Sequence, residues 1–139
     1  MTAAPNNRSV WTLERVELRR IAMPLVAPFR TSFGSQTARD ILLVRCELSA
    51  ADGRRTEGWG ECVALSDPSY SPEYVDGAQH VMIHHLLPRL VAGGPLEAAD
   101  VAPRLAKLHG HPMAKGALAA GRPIVGFTRA GEYVIGSRP

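Results

Sequence analysis

The sequence predicts an α+β domain, a three-stranded antiparallel meander packed by about three helices. Three observations predict it. Apolar residues alternate through residues 13–25, 41–48 and 56–65. An Asp52–Gly53 turn signal separates the last two runs. From Tyr74 onward the apolar spacing changes from two to three and four. A chain of 139 residues with 45% hydrophobic content is long enough to close one core.

Residues 1–10 read as a flexible tail. In the first strand Val16 and Leu18 fall on one parity and Ile21, Met23 and Leu25 on the other, which predicts a β-bulge at Arg19–Arg20. Pro24 and Pro28 end its ladder. The following stretch, VAPFRTSFGSQTARD, is too long for a tight hairpin and reads as a loop, and loops of this length are often functional. In ILLVRCELSA, Leu42, Val44, Cys46 and Leu48 share a face. A two-residue turn at Asp52–Gly53 would pair Cys46 with Trp59 and Leu42 with Val63. That register puts Cys46 and Cys62 on opposite faces, against a disulfide.

Ser71 as N-cap and Pro72 in the first turn start a helix along Tyr74, Ala78, Val81, Met82, His85 and Leu86, which Pro88 ends or kinks. A short second helix covers about Val101–Leu108. A third opens in HPMAKGALAAGRPIVGF, where Met113, Ala117 and Leu118 form a stripe that Gly121 and Pro123 cut short.

Composition excludes several function classes. No apolar run approaches the roughly 18 residues of a membrane span. MTAAPNNRSV has no signal core, which predicts a cytoplasmic protein with reduced cysteines. The net charge is +3 and the pI about 9.2, yet the basic residues are scattered and no aromatics interleave them. Nucleic acid is therefore not an expected partner.

Chemistry-bearing residues are sparse. His80 and His84 lie one helical turn apart, and His109 with His111 follow later; together they could ligate zinc, or form a polar helix face and a cap. Glu61, facing Val44 in the predicted register, could be a buried acid, or a carboxylate bonded to nearby backbone. Ser32 and Ser35 lack an organised base. Lys115, one of two lysines, could be a base of depressed pKa in an apolar helix, or a solvated helix residue. No P-loop, GxGxxG or GxSxG occurs, so no catalytic residue and no metal ligand is assigned.

Several strings resemble a known family. PFRTSFG, GWGECVALSDPSYSPEYVDGAQHV, HHLLPRL and GHPMAKGAL are similar to the N-terminal capping domain of the enolase superfamily. The closest branch holds o-succinylbenzoate synthase and the racemases of N-acylamino acids. The resemblance covers roughly residues 13–118. It implies a cap that sits on a modified TIM barrel, at whose strand ends a lysine pair and Mg²⁺ held by carboxylates work through an enolate. In the synthase branch the product is o-succinylbenzoate, a step toward menaquinone. The cap contributes specificity by closing loops over a small carboxylate substrate. By resemblance Phe29, Phe33, Leu65 and Tyr70 are substrate-binding, though each also reads as a packing residue.

The resemblance breaks after Leu118, where AAGRP follows as though about ten helical residues were absent. Residues 11–118 are thus expected to be the capping domain and 119–139 a divergent, poorly ordered tail. The barrel, the catalytic lysines and the Mg²⁺ ligands are not expected in this chain. It should be a truncated, non-catalytic cap with no cofactor of its own, open to self-association through its barrel-facing surface. The alternatives are an interaction module using that surface, a fragment of an N-acylamino acid racemase, or a small metal-binding protein using the histidines.

Overall fold

A computed structural model describes residues 10–119 and the strand Glu132–Ile135. Strands β1 (Thr12–Thr31), β2 (Gly34–Ser49) and β3 (Arg55–Cys62) form the predicted antiparallel meander. Strand β4 (Glu132–Ile135) adds a fourth member beside β1, giving the order β3-β2-β1-β4. It lies in the segment expected to be a divergent tail; apart from Ala119 the rest of that tail, and residues 1–9, fall outside the described residues.

The sheet buries one face under helices. Val16 and Leu18 of β1, Leu42 and Val44 of β2 and Cys62 of β3 meet Ala78, Val81, Met82, Leu86, Leu105, Ala114 and Leu118 in one cluster. Each large side chain so buried contributes about 1.5–3 kcal/mol.

Three sequence expectations about the sheet are corrected. No bulge occurs at Arg19–Arg20: the β1–β2 register runs unbroken from Arg15↔Glu47 to Pro24↔Ala38 and shifts at Glu14 and at residues 25–28. The apolar residues change sides because Arg20 occupies the helix-facing side of β1, neutralised by Asp40 and Asp76. The stretch after Pro24 is a protruding β-ribbon rather than a loop, with Phe29 paired to Gln36 and a two-residue tip at Ser32–Phe33. At that tip the Phe33 amide donates to Thr31 Oγ1 (3.2 Å), whose hydroxyl donates to the Gly34 carbonyl (3.3 Å).

The β2–β3 register is one residue from the expected one: Cys46 faces Gly58, Leu42 faces Cys62 and Arg45 faces Trp59. The turn has three loop residues, because Ala50 N–H bonds to the Arg54 carbonyl (2.8 Å) and Gly53 takes φ +87°. A left-handed glycine after a β-turn adds the extra residue. Both cysteines therefore lie on the core face. They are free, since four positions separate their places along the ladder, about 13 Å.

The helical layer is α1 (Val75–Val81), a π turn (Met82–Leu86), α2 (Leu87–Ala92), a 3₁₀ turn (Ala98–Asp100), α3 (Val101–Leu105) and α4 (Pro112–Ala119). Ser71 does not cap α1; its hydroxyl accepts from the Glu73 amide (3.2 Å). The Leu65 carbonyl instead accepts the Val75 N–H (2.8 Å), and Val75 rather than Tyr74 points into the core. Pro88 does not stop the helix. Leu87 N–H reaches back to Met82 O, a π turn that absorbs the missing proline donor and lets the helix continue to Ala92. Arg104 then closes α2 by donating to the carbonyls of Leu90 (3.1 Å) and Gly94 (2.7 Å). The helix expected to reach Leu108 ends at Leu105, where a turn bond from Leu108 N–H to Leu105 O (3.1 Å) replaces it.

Helix α4 is held at both its start and its middle. The Glu73 carboxylate, 8% exposed, accepts the N–H groups of Met113 (2.8 Å) and Ala114 (3.0 Å), filling the vacancy of a helix N-terminus from forty residues upstream. Further along, a Cβ built on Gly60 would lie 1.9 Å from the Ala117 carbonyl oxygen, so α4 rests directly on the β3 backbone.

Three substitutions test this packing. Gly60→Ala should destabilise the chain by about 3 kcal/mol or more through backbone collision. Gly116→Ala, whose Cβ meets nothing within 4 Å, should stabilise it by about 0.5–1 kcal/mol; urea unfolding of both variants measures the contrast. Glu73→Ala should cost about 1–3 kcal/mol by orphaning two helix donors, read as loss of hydrogen-exchange protection at Met113 and Ala114.

Candidate substrate-covering surface

The residues expected to bind substrate lie on two segments beyond the core. Phe29 and Phe33 stand on the β1–β2 ribbon and are 57% and 65% exposed. Tyr70, 69% exposed, lies in the loop between β3 and α1. The fold brings Phe33 and Tyr70 together, ring centroids 6.4 Å apart at 77°, an edge-to-face pair between segments far apart in sequence. Leu65 is half-buried at the foot of the same loop, where its carbonyl serves α1. Met23 and Val26 on the ribbon and Val63 beside the loop are also exposed. Met23, Val26, Phe29 and Phe33 thus gather exposed apolar side chains on one ribbon.

Ionic contacts that the sequence reading missed fix the base of the ribbon. Arg20 donates through Nε to Asp40 Oδ1 (2.8 Å), pairs with both oxygens of Asp40, and reaches Asp76 at the start of α1. The hydrogen bond from Arg20 holds the Asp40 carboxyl below its usual range. No sequence signal announces this clamp, since its members are 20 and 56 residues apart.

On the far side of the sheet, Glu17 is buried between Arg15 (2.8 Å), Arg19 (2.7 Å) and Arg45 (3.3 Å). Burial alone would raise its pKa; the three guanidinium groups override that and hold it low. Arg19 also lies over the Trp59 ring, 4.9 Å from its centroid. Arg45 faces an open depression of about 350 Å³, but Glu57 (2.5 Å) and Glu47 (2.7 Å) already engage it. Burial pushes the Cys46 thiol up to about 11, so it is no nucleophile at neutral pH.

The remaining candidates are placed as follows. Glu61 is exposed, opposite Leu43, rather than facing Val44; the one-residue register difference moves it to the solvent side. Lys115 is half-buried, its ammonium donating to the Leu108 carbonyl. Ser32 and Ser35 are exposed at the ribbon tip. The four histidines do not gather: His80 and His84 adjoin, while His109 and His111 lie at the start of α4. Among the described residues no set of three or more His, Cys, Asp or Glu is placed to hold a metal ion. No helix among them is long and apolar enough to cross a membrane.

A meander covered by helices, with a ribbon and a second loop carrying exposed aromatics, is the enolase-type N-terminal capping fold. A Listeria innocua member of the enolase superfamily matches at TM-score 0.69 and 28% identity over 80% of this chain and 29% of that one. A probable mandelate racemase of Alicyclobacillus acidocaldarius matches at TM-score 0.66 and 34% identity, over 79% of this chain and 29% of its own. More particularly, the chain is similar to proteins named N-succinylamino acid racemase and o-succinylbenzoate synthase. It is 58% identical over 106 residues to an N-succinylamino acid racemase of Amycolatopsis, and 40% identical over 106 residues to the o-succinylbenzoate synthase of Geobacillus kaustophilus. Both matches cover 76% of this chain and 27% of the relative, so the chain spans about a quarter of their length. No family model matches.

The paired carboxylates give a pH prediction. Asp40 and Glu17 titrate lower in the fold than in the open chain, so their stabilisation is complete above the unfolded values, about pH 4–4.5. It is lost as pH falls through the folded values. The urea midpoint should stay level from neutrality to about pH 5 and decline below that. Arg20→Met should lower stability at neutral pH by about 1 kcal/mol and make the acid decline shallower.

Proposed function

We propose that this chain is the substrate-covering part of an enzyme of the o-succinylbenzoate synthase and N-succinylamino acid racemase type, and that it is non-catalytic without a barrel. The observation that carries the proposal is the Phe33–Tyr70 pair, exposed at the meeting point of two segments. Phe33 and Tyr70, with Phe29 and Leu65, would form the apolar roof that excludes water from a small carboxylate substrate on a barrel. Proton abstraction beside that carboxylate needs a base, a cation for the enolate and, for racemisation, an acid on the opposite face to return the proton. Lys115 is tied to a carbonyl, and the described residues offer no carboxylate set suited to Mg²⁺. Those groups are assigned to the barrel, which would supply Mg²⁺ and the lysine pair. The chain would work in the cytoplasm, its thiols reduced, either in the dehydration that leads toward menaquinone or in racemisation. The 58% identity to the Amycolatopsis racemase favours the second of these. Without a barrel, the exposed ribbon would drive self-association or serve as an interaction surface.

The test is a transplant of residues 13–118 into the Amycolatopsis racemase in place of the matched segment. The chimera should racemise an N-succinylamino acid in a chelator-sensitive reaction. Phe33→Ala or Tyr70→Ala in the chimera should lower kcat/KM about tenfold to a hundredfold, the range expected for one lost aromatic contact. The 139-residue chain alone should show no turnover. A folded but inert chimera would refute the proposal, as would chelator-sensitive turnover by the chain alone.

A further inference from the structure

Three histidines stand on the exposed side of the long helix, outside the surface described above: His80, His84 and His85. Their convergence has a backbone cause. In a regular α-helix the residue four further on sits over its predecessor. The π turn at Met82–Leu86 widens that turn, so positions 84 and 85 straddle the line from His80. The rings of His80 and His84 lie 4.4 Å apart between centroids, tilted 39°, while His85 is 6.3 Å from His80. Among the described residues no hydrogen bond or ion pair engages the imidazoles of His80 and His84, so their ring nitrogens are available.

We propose that His80 and His84 chelate a divalent transition-metal ion of the zinc, nickel or copper class on the outer face of this helix, with water in the remaining positions. Imidazole suits these ions and metal–nitrogen bonds are about 2.0–2.1 Å, so two rings this close need only side-chain rotation to share one. The i, i+4 spacing is the one by which a single helix presents two zinc ligands. Mg²⁺ and Ca²⁺, which take oxygen donors, do not fit. The site is therefore separate in chemistry from the Mg²⁺ assigned to the barrel and does not depend on the proposed reaction. Chelation would tie α1 to the π turn that follows it, since His80 belongs to the first and His84 to the second.

The test uses the tag-free chain at about pH 8, where imidazole is neutral. Calorimetric titration with Zn²⁺ or Ni²⁺ should show saturable binding of one ion per chain, with Tm rising by a few degrees and returning on chelation. His80→Gln or His84→Gln should weaken binding at least tenfold. Both side chains are exposed, so these variants fold, and circular dichroism confirms it. His85→Gln and the His109→Gln/His111→Gln double variant should bind as the parent does, and Mg²⁺ should leave Tm unmoved. The proposal is overturned by absence of saturable binding, by parent-like affinity in His84→Gln, or by loss of binding in the His109/His111 double variant.

Discussion

At Gly60 helix α4 lies directly on the backbone of β3, and the position of the loop that carries Tyr70 follows from that contact. Glycines at 58 and 60 clear the core face of the strand, and the Ala117 carbonyl occupies the space a Cβ at 60 would take. A helix this close needs its N-terminus satisfied inside the protein, and Glu73 supplies the two acceptors. The loop that carries Tyr70 is thereby pinned at its far end by Glu73 and at its near end by the Leu65 carbonyl on α1. Backbone proximity at Gly60 thus reaches the exposed surface through a chain of named contacts.

The ribbon is anchored to the same helical layer by a different force. Arg20 joins β1, β2 and the first turn of α1 through Asp40 and Asp76. Packing positions one covering segment and charge the other, and the two meet at Phe33 and Tyr70. A covering surface made of two anchored segments can hold a defined shape while leaving its aromatic edges exposed for a partner domain.

Where the reading of the sequence failed, it failed at positions whose backbone state depends on distant groups. Gly53 signalled a turn correctly, but a two-residue and a three-residue loop share the Asp–Gly dipeptide, and the difference of one residue turned Glu61 to solvent and put both cysteines on one face. Pro88 is a helix breaker by local rule; a π turn one step earlier made it harmless. Ser71 and Pro72 are a sound helix start by composition, yet the start moved to Val75 because the Leu65 carbonyl offered a cap and Glu73 was needed by α4. Of the residues proposed to cover substrate, Phe29 and Phe33 were visible as aromatics in a polar stretch. That Phe33 meets Tyr70 was not visible, since no local pattern links positions 37 residues apart.

The sequence by itself determined the three meander strands, the change to helical spacing after Tyr74, the exclusion of a membrane-spanning helix, and the likeness to a capping domain. These follow from periodicity, composition and local strings, which act over one or two turns of chain. Tertiary structure alone decided the strand register, the Arg20 clamp, the Glu73 cap and the meeting of Phe33 with Tyr70. Each of these depends on which distant group meets a hydrogen bond, a charge or an aromatic ring, and that is set only when the layers pack.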